Sequence, residues 1–107
     1  MGRQRETCIG DRVDEWFRVQ PDIFCFNVHG SAMQRRGIPD RVGTCGPIGF
    51  WIELKVPGKK RTPIQEAIRR KILRAGGNVR TCTTLEEVQD FIQELRVMAL
   101  DRVGAVL

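Results

Sequence analysis

The 107-residue sequence contains no apolar run approaching the roughly 20 residues that span a bilayer. Its opening, Met1 to Arg5, is polar and basic with no apolar stretch behind it, unlike a secretory leader. A soluble, cytoplasmic protein with no membrane partner is therefore expected. Its four cysteines, Cys8, Cys25, Cys45 and Cys82, include no CxxC pair and no His/Cys spacing of the zinc-site kind. That pattern argues against structural zinc and fits a reduced compartment. There is a single histidine, His29. Beside a strand end, a lone histidine serves as a hydrogen-bonding or phosphate-contacting group more often than as a general base. Internal repeats and low-complexity segments are absent, so the expectation is one domain spanning residues 1–107, with 96–107 as a C-terminal tail.

What is present points to a compact core and an anionic partner. Hydrophobic residues at 41% and charged residues at 29% are too apolar a mix for a disordered chain. A domain of this size buries roughly 60–70% of its unfolded surface. The formal charge of +5 and pI near 9.5 favour a polyanion. The cations also cluster, in Arg35-Arg36, Arg41, Lys59-Lys60-Arg61 and Arg69-Arg70-Lys71. Clustering suits a surface that tracks phosphates, although solvated loops and helix faces also collect such residues.

Taken in order, Ile9, Val13, Trp16 and Phe17 predict an amphipathic helix over Arg5–Arg18, with Gly10 lowering its propensity. Glu6 sits on that stripe, either as a first-turn acid favoured by the helix dipole or as a carboxylate aimed at a site. Ile23–Val28 reads as a central strand interrupted by Asn27. The His29–Gly37 stretch reads as a basic loop. Thr62-Pro63-Ile64-Gln65 is a helix start with a capping box, and Ile64, Ile68 and Ile72 form its apolar seam. Asn78–Cys82 then gives a strand parallel to the one before the helix. A last helix, opened by a second capping box at Thr84-Leu85-Glu86-Glu87, carries Val88, Phe91, Ile92, Leu95 and Met98 or Ala99 inward, and Asp101–Leu107 reads as a frayed tail.

The chemistry concentrates between Gly37 and Lys55. Phe50, Ile52, Leu54 and Val56 mark one face of a strand, which puts Glu53 and Lys55 together on the other. Asp40 lies 13 positions before Glu53, and Gly43, Gly46, Pro47 and Gly49 between them suit a hairpin that brings the carboxylates together. Two acids and a lysine at a strand end point to a divalent-metal site acting on a phosphate ester.

Pro39-Asp40 followed by Glu53-Leu54-Lys55 resembles the signature of the PD-(D/E)xK nuclease superfamily. The flanking His29-Gly30-Ser31, Gln34–Asp40, Glu53–Gly58 and Thr62–Gln65 segments resemble the stand-alone VRR-Nuc domain proteins of phages and prophages, over residues 6 to 92. The resemblance implies an α/β, restriction-endonuclease-like αβββαβ core with a mixed central sheet flanked by helices. It also implies Mg²⁺- or Mn²⁺-dependent endonuclease cleavage of four-way junctions or other branched DNA, and a homodimer with two sites related by two-fold symmetry would suit such a substrate. On this resemblance Asp40, Glu53, Lys55 and Gln65 are catalytic. Glu6, Asp40, Glu53 and the Leu54 carbonyl hold metal, and His29, Ser31, Gln34, Arg35, Arg36, Arg41, Lys59, Lys60 and Arg61 face DNA. For Gln65 the capping box is a competing use of the side chain. Asn27 departs from the pattern, standing where lysine precedes the Val-His-Gly segment, which puts a phosphate contact there in question. The alternative is a non-catalytic nucleic-acid-binding module with a basic groove.

Overall fold

The apolar spacing of the first segment does form a helix, α1 (Gly2–Arg18), which buries Val13 and Phe17. The computed structural model describes the backbone of residues 2–28 and 36–106 and the side chains of residues 9–28 and 36–102. After α1 come β1 (Ile23–Asn27), β2 (Arg41–Cys45), β3 (Ile48–Leu54), α2 (Pro63–Arg74), β4 (Val79–Cys82) and α3 (Leu85–Val106). The four strands form one sheet in the order β1-β2-β3-β4; β1, β2 and β3 are antiparallel, and β4 runs parallel to β3. The mixed sheet with flanking helices is the architecture expected from the sequence.

Strand alternation assigns the two faces. On one face Ile48, Phe50, Ile52 and Leu54 pack beneath Val13 and Phe17 of α1 and Val88, Phe91, Ile92 and Leu95 of α3. Phe50 is the hub, with ring centroids 5.9 Å from Phe17 and 6.3 Å from Phe91. The other face is covered less completely by α2: Ile38, Trp51, Ile68 and Ile72 line a shared cleft. The loop that delivers Pro39 and Asp40 is pressed against the start of α2. Gly37 takes φ +84°, and a Cβ there would stand 2.4 Å from Ile64 Cγ2, so both backbone sign and space require glycine.

The start of α2 is the predicted capping box: Gln65 N–H donates to Thr62 Oγ1 (3.2 Å), and Thr62 N–H donates to Gln65 Oε1 (2.9 Å). The same reciprocal pair joins Thr84 and Glu87 before α3.

Two expectations need correction. The Ile23–Asn27 strand is an edge strand, not a central one, and Phe24 and Phe26 are 68% and 53% exposed. A continuous apolar run normally means burial on both faces; here only the alternate residues Ile23 and Cys25 pack on the core. The C-terminal segment is not a frayed tail, because α3 continues through Val106. Within it Ala99 packs on the core, and Arg96 is anchored by Asp22 and Gln20.

Candidate active site

The β2–β3 hairpin brings the two acids together through its register. Cys45 pairs with Ile48 across the Gly46-Pro47 turn, and Arg41 pairs with Ile52, so Asp40 and Glu53 are the next residues in line on the two strands. Hydrogen bonds hold that alignment past the end of β2. Leu54 N–H donates to Asp40 Oδ1 (2.9 Å), and Val28 N–H donates to the Asp40 carbonyl (2.8 Å). Glu53 is 6% exposed, buried near the end of β3. Lys55 N–H donates to the Cys82 carbonyl (2.9 Å), carrying the parallel ladder one residue beyond Leu54. The pleat therefore keeps Lys55 on the Glu53 face.

Arg41 has a different surrounding from the one expected. It is 6% exposed, buried between β2 and α1 rather than on a DNA-facing rim. Its Nε–H and Nη2–H donate to the two oxygens of Asp14 (2.9 and 3.1 Å), and Nη1–H donates to Asp40 Oδ2 (2.7 Å). Burial works against the charged guanidinium, but Asp14 and Asp40 outweigh it and hold the Arg41 pKa above its usual value. Asp14 is steadied in turn by Asn27 Nδ2 (3.3 Å). Asn27, noted in the sequence for lacking a cation, thus belongs to a carboxylate–guanidinium network.

Asp14 and the use of Arg41 escaped the sequence reading, but a signal was present. Glu6, Gly10 and Asp14 recur every four residues, on one helix face. Gly10, taken in the sequence only as a weak helix former, leaves room for the guanidinium: a Cβ there would stand 2.9 Å from Arg41 Nη2. Position 6 lies one turn further along that face, and its side chain is outside the described residues.

The remaining expected contacts divide into three groups. His29, Ser31, Gln34 and Arg35 lie outside the described residues. Arg36, Lys59 and Lys60 are exposed. Arg61 is engaged: its Nε–H donates to Glu66 Oε2 (2.5 Å) and its Nη1–H to Thr81 Oγ1 (3.0 Å). Thr81 is the β4 register partner of Glu53, so this pair seals the flank of the acid. Gln65 presents its carbonyl to the Thr62 amide, which is the structural use of the two expected for it. Burial raises the Cys25 thiol pKa to about 11 and that of Cys82 to about 12, so neither is a nucleophile near neutral pH.

The architecture, a mixed four-stranded sheet with flanking helices, is an α/β fold of the restriction-endonuclease-like type. Among solved structures the chain is similar to one described as a "VRR_NUC domain", with a TM-score of 0.71 and 20% sequence identity, over 83% of this chain and 95% of that one. At that identity the likeness establishes the fold. No family model matches the sequence, and no curated protein does.

Proposed function

We propose that the protein is a divalent-metal-dependent DNA endonuclease. The observation that carries this reading is the hairpin register that aligns Asp40 with Glu53, with Asp40 Oδ1 bound to the Leu54 amide and Lys55 on the Glu53 face. A phosphodiesterase site needs hard oxygen donors together with a nearby cation, and this strand end supplies both.

The donor set suits Mg²⁺ or Mn²⁺. Asp40, Glu53 and the Leu54 carbonyl would hold the ion, and all three offer oxygen. Among the described residues no cluster of three or more acids, histidines or cysteines assembles. A third acid would therefore come from Glu6, on the α1 face that carries Gly10 and Asp14. A bound cation would supply Lewis-acid polarisation of the phosphate and a lowered pKa for the attacking water. Lys55 would orient that water or balance charge gathering on the phosphate. Arg36, Lys59 and Lys60 are the exposed cations that would meet the DNA backbone, with His29, Ser31, Gln34 and Arg35 completing the rim.

Branched DNA, such as a four-way junction, is the proposed substrate, and a cytoplasmic homodimer the acting form: two-fold symmetry would set two sites against a symmetric substrate. The experiment is cleavage of linear, flapped, nicked and four-way DNA at matched salt, with Mn²⁺, Mg²⁺ or EDTA. Metal-dependent cutting, fastest on branched substrates, is expected. Salt-sensitive binding without cutting in any metal would instead identify a non-catalytic binding module.

A further inference from the structure

We propose that Asp14 and Arg41 are positioning residues for the site, acting through Asp40; the proposal rests on the metal-nuclease reading above. Arginine presents its donors in a rigid planar fork. Here one edge of the fork is taken by both oxygens of Asp14, which fixes the guanidinium plane, and Nη1–H is thereby aimed at Asp40 Oδ2. Leu54 N–H holds the other Asp40 oxygen. The carboxylate is thus held at both ends, once by its own hairpin and once by a clamp anchored on α1.

Three further observations favour a built clamp over a chance ion pair. Arg41 is nearly fully buried, and burying arginine demands partners for its charge. Gly10 leaves the space that Arg41 Nη2 approaches. Asn27 of β1 donates to Asp14, so α1, β1 and β2 all contribute to the one carboxylate–guanidinium network. The electrostatics have a consequence for metal binding. A bare cation 2.7 Å from Asp40 would repel a divalent ion, and Asp14 offsets that repulsion by sharing the Arg41 charge.

The test compares wild type with Asp14→Asn, which keeps the size of the side chain and removes its charge. Calorimetric titration with Mn²⁺ should show affinity falling about 10–100-fold, the usual effect of losing an outer-sphere partner. Cleavage should lose kcat by a similar factor, while KM for DNA and metal-free DNA affinity stay within about twofold. The Arg41 Nε–H resonance should exchange slowly with solvent in wild type, where it is buried and bound to Asp14, and fast in the variant. Thermal melting establishes the temperature range in which each protein is folded. If Asp14→Asn does not fold, Arg41→Lys keeps the charge without the fork and should show the same losses. A folded variant that binds Mn²⁺ and turns over like wild type overturns the positioning role and leaves the nuclease reading standing. Absence of Mn²⁺ binding by wild type overturns both.

Discussion

Among the described residues, one arginine–aspartate pair ties β2 to α1 and another ties α3 to the turn before β1, and they differ in almost everything except geometry. Arg41 grips Asp14 with two donors at 2.9 and 3.1 Å, and Arg96 grips Asp22 with two donors at 2.9 Å each. The side chains of the first pair are 8% and 29% exposed, those of the second 29% and 38%. Arg41 also holds Asp40 at the candidate site, whereas Arg96 lies 5.9 Å from the Trp16 ring and also reaches the Gln20 side chain. Like geometry does not mean like energy. A buried pair with a third partner becomes a structural dependency once one member is removed, while a half-exposed pair is screened by water and salt.

The largest expected effect is Arg41→Met. It leaves Asp14 and Asp40 without their shared cation, and breaking a buried pair typically costs about 3–5 kcal/mol. Urea unfolding at neutral pH measures it, and a loss below about 1 kcal/mol would put Arg41 in the same class as Arg96. Next comes Gly10→Ala. In an ordinary helix interior that change stabilises by about 0.5–1 kcal/mol. Here the added methyl meets Arg41 Nη2, and a net loss of about 1 kcal/mol is expected from overpacking. In the Arg41→Met background the ordinary gain should return, so a double-mutant cycle isolates the contact.

The smallest effect is Arg96→Ala, expected to cost no more than about 1 kcal/mol and less in high salt. Its pH dependence has a definite sign. The hydrogen bond from Arg96 is the main force lowering the Asp22 pKa from its ordinary 3.8. The folded pKa lies below the unfolded one, so the stabilisation is fully present above pH 3.8 and is lost as the pH falls through the folded value. Wild type and Arg96→Ala should therefore differ most above pH 4 and converge in stronger acid. A difference that grows on acidification would reverse the assignment.

The contrast also shows which parts of the molecule could be read from the sequence. The acid–lysine strand, the Gly46-Pro47 turn, both capping boxes and the order of elements are local patterns. Each rests on residues within a few positions of one another, so propensity and periodicity report them. The placement of β1 at the sheet edge is not local: Ile23–Phe26 is apolar throughout, and only the pairing order exposes Phe24 and Phe26. The burial of Arg41 is likewise tertiary. Its partner Asp14 is 27 positions away, and nothing near Arg41 distinguishes it from the exposed Arg36. Gly10 was a visible oddity whose reason emerges only when α1 is laid against β2. The continuation of α3 past Leu100 has the same origin. Beyond the apolar stripe that ends near Ala99, Arg102 Nη1–H donates to the Pro47 carbonyl (3.4 Å), a contact across 55 positions.

On the proposed function, the strand end carrying Asp40, Glu53 and Lys55 cuts DNA with a metal ion. Cleavage of a four-way DNA junction in Mn²⁺ by wild type and by Lys55→Ala, with junction affinity measured on the same proteins in EDTA, tests it most directly. Wild type should cut in Mn²⁺ and not in EDTA, and Lys55→Ala should bind the junction within about threefold of wild type while cutting more slowly by about 100-fold or more, the scale of losing a transition-state charge partner. Equal cutting by Lys55→Ala, or cutting by wild type that persists in EDTA, would contradict the proposed function.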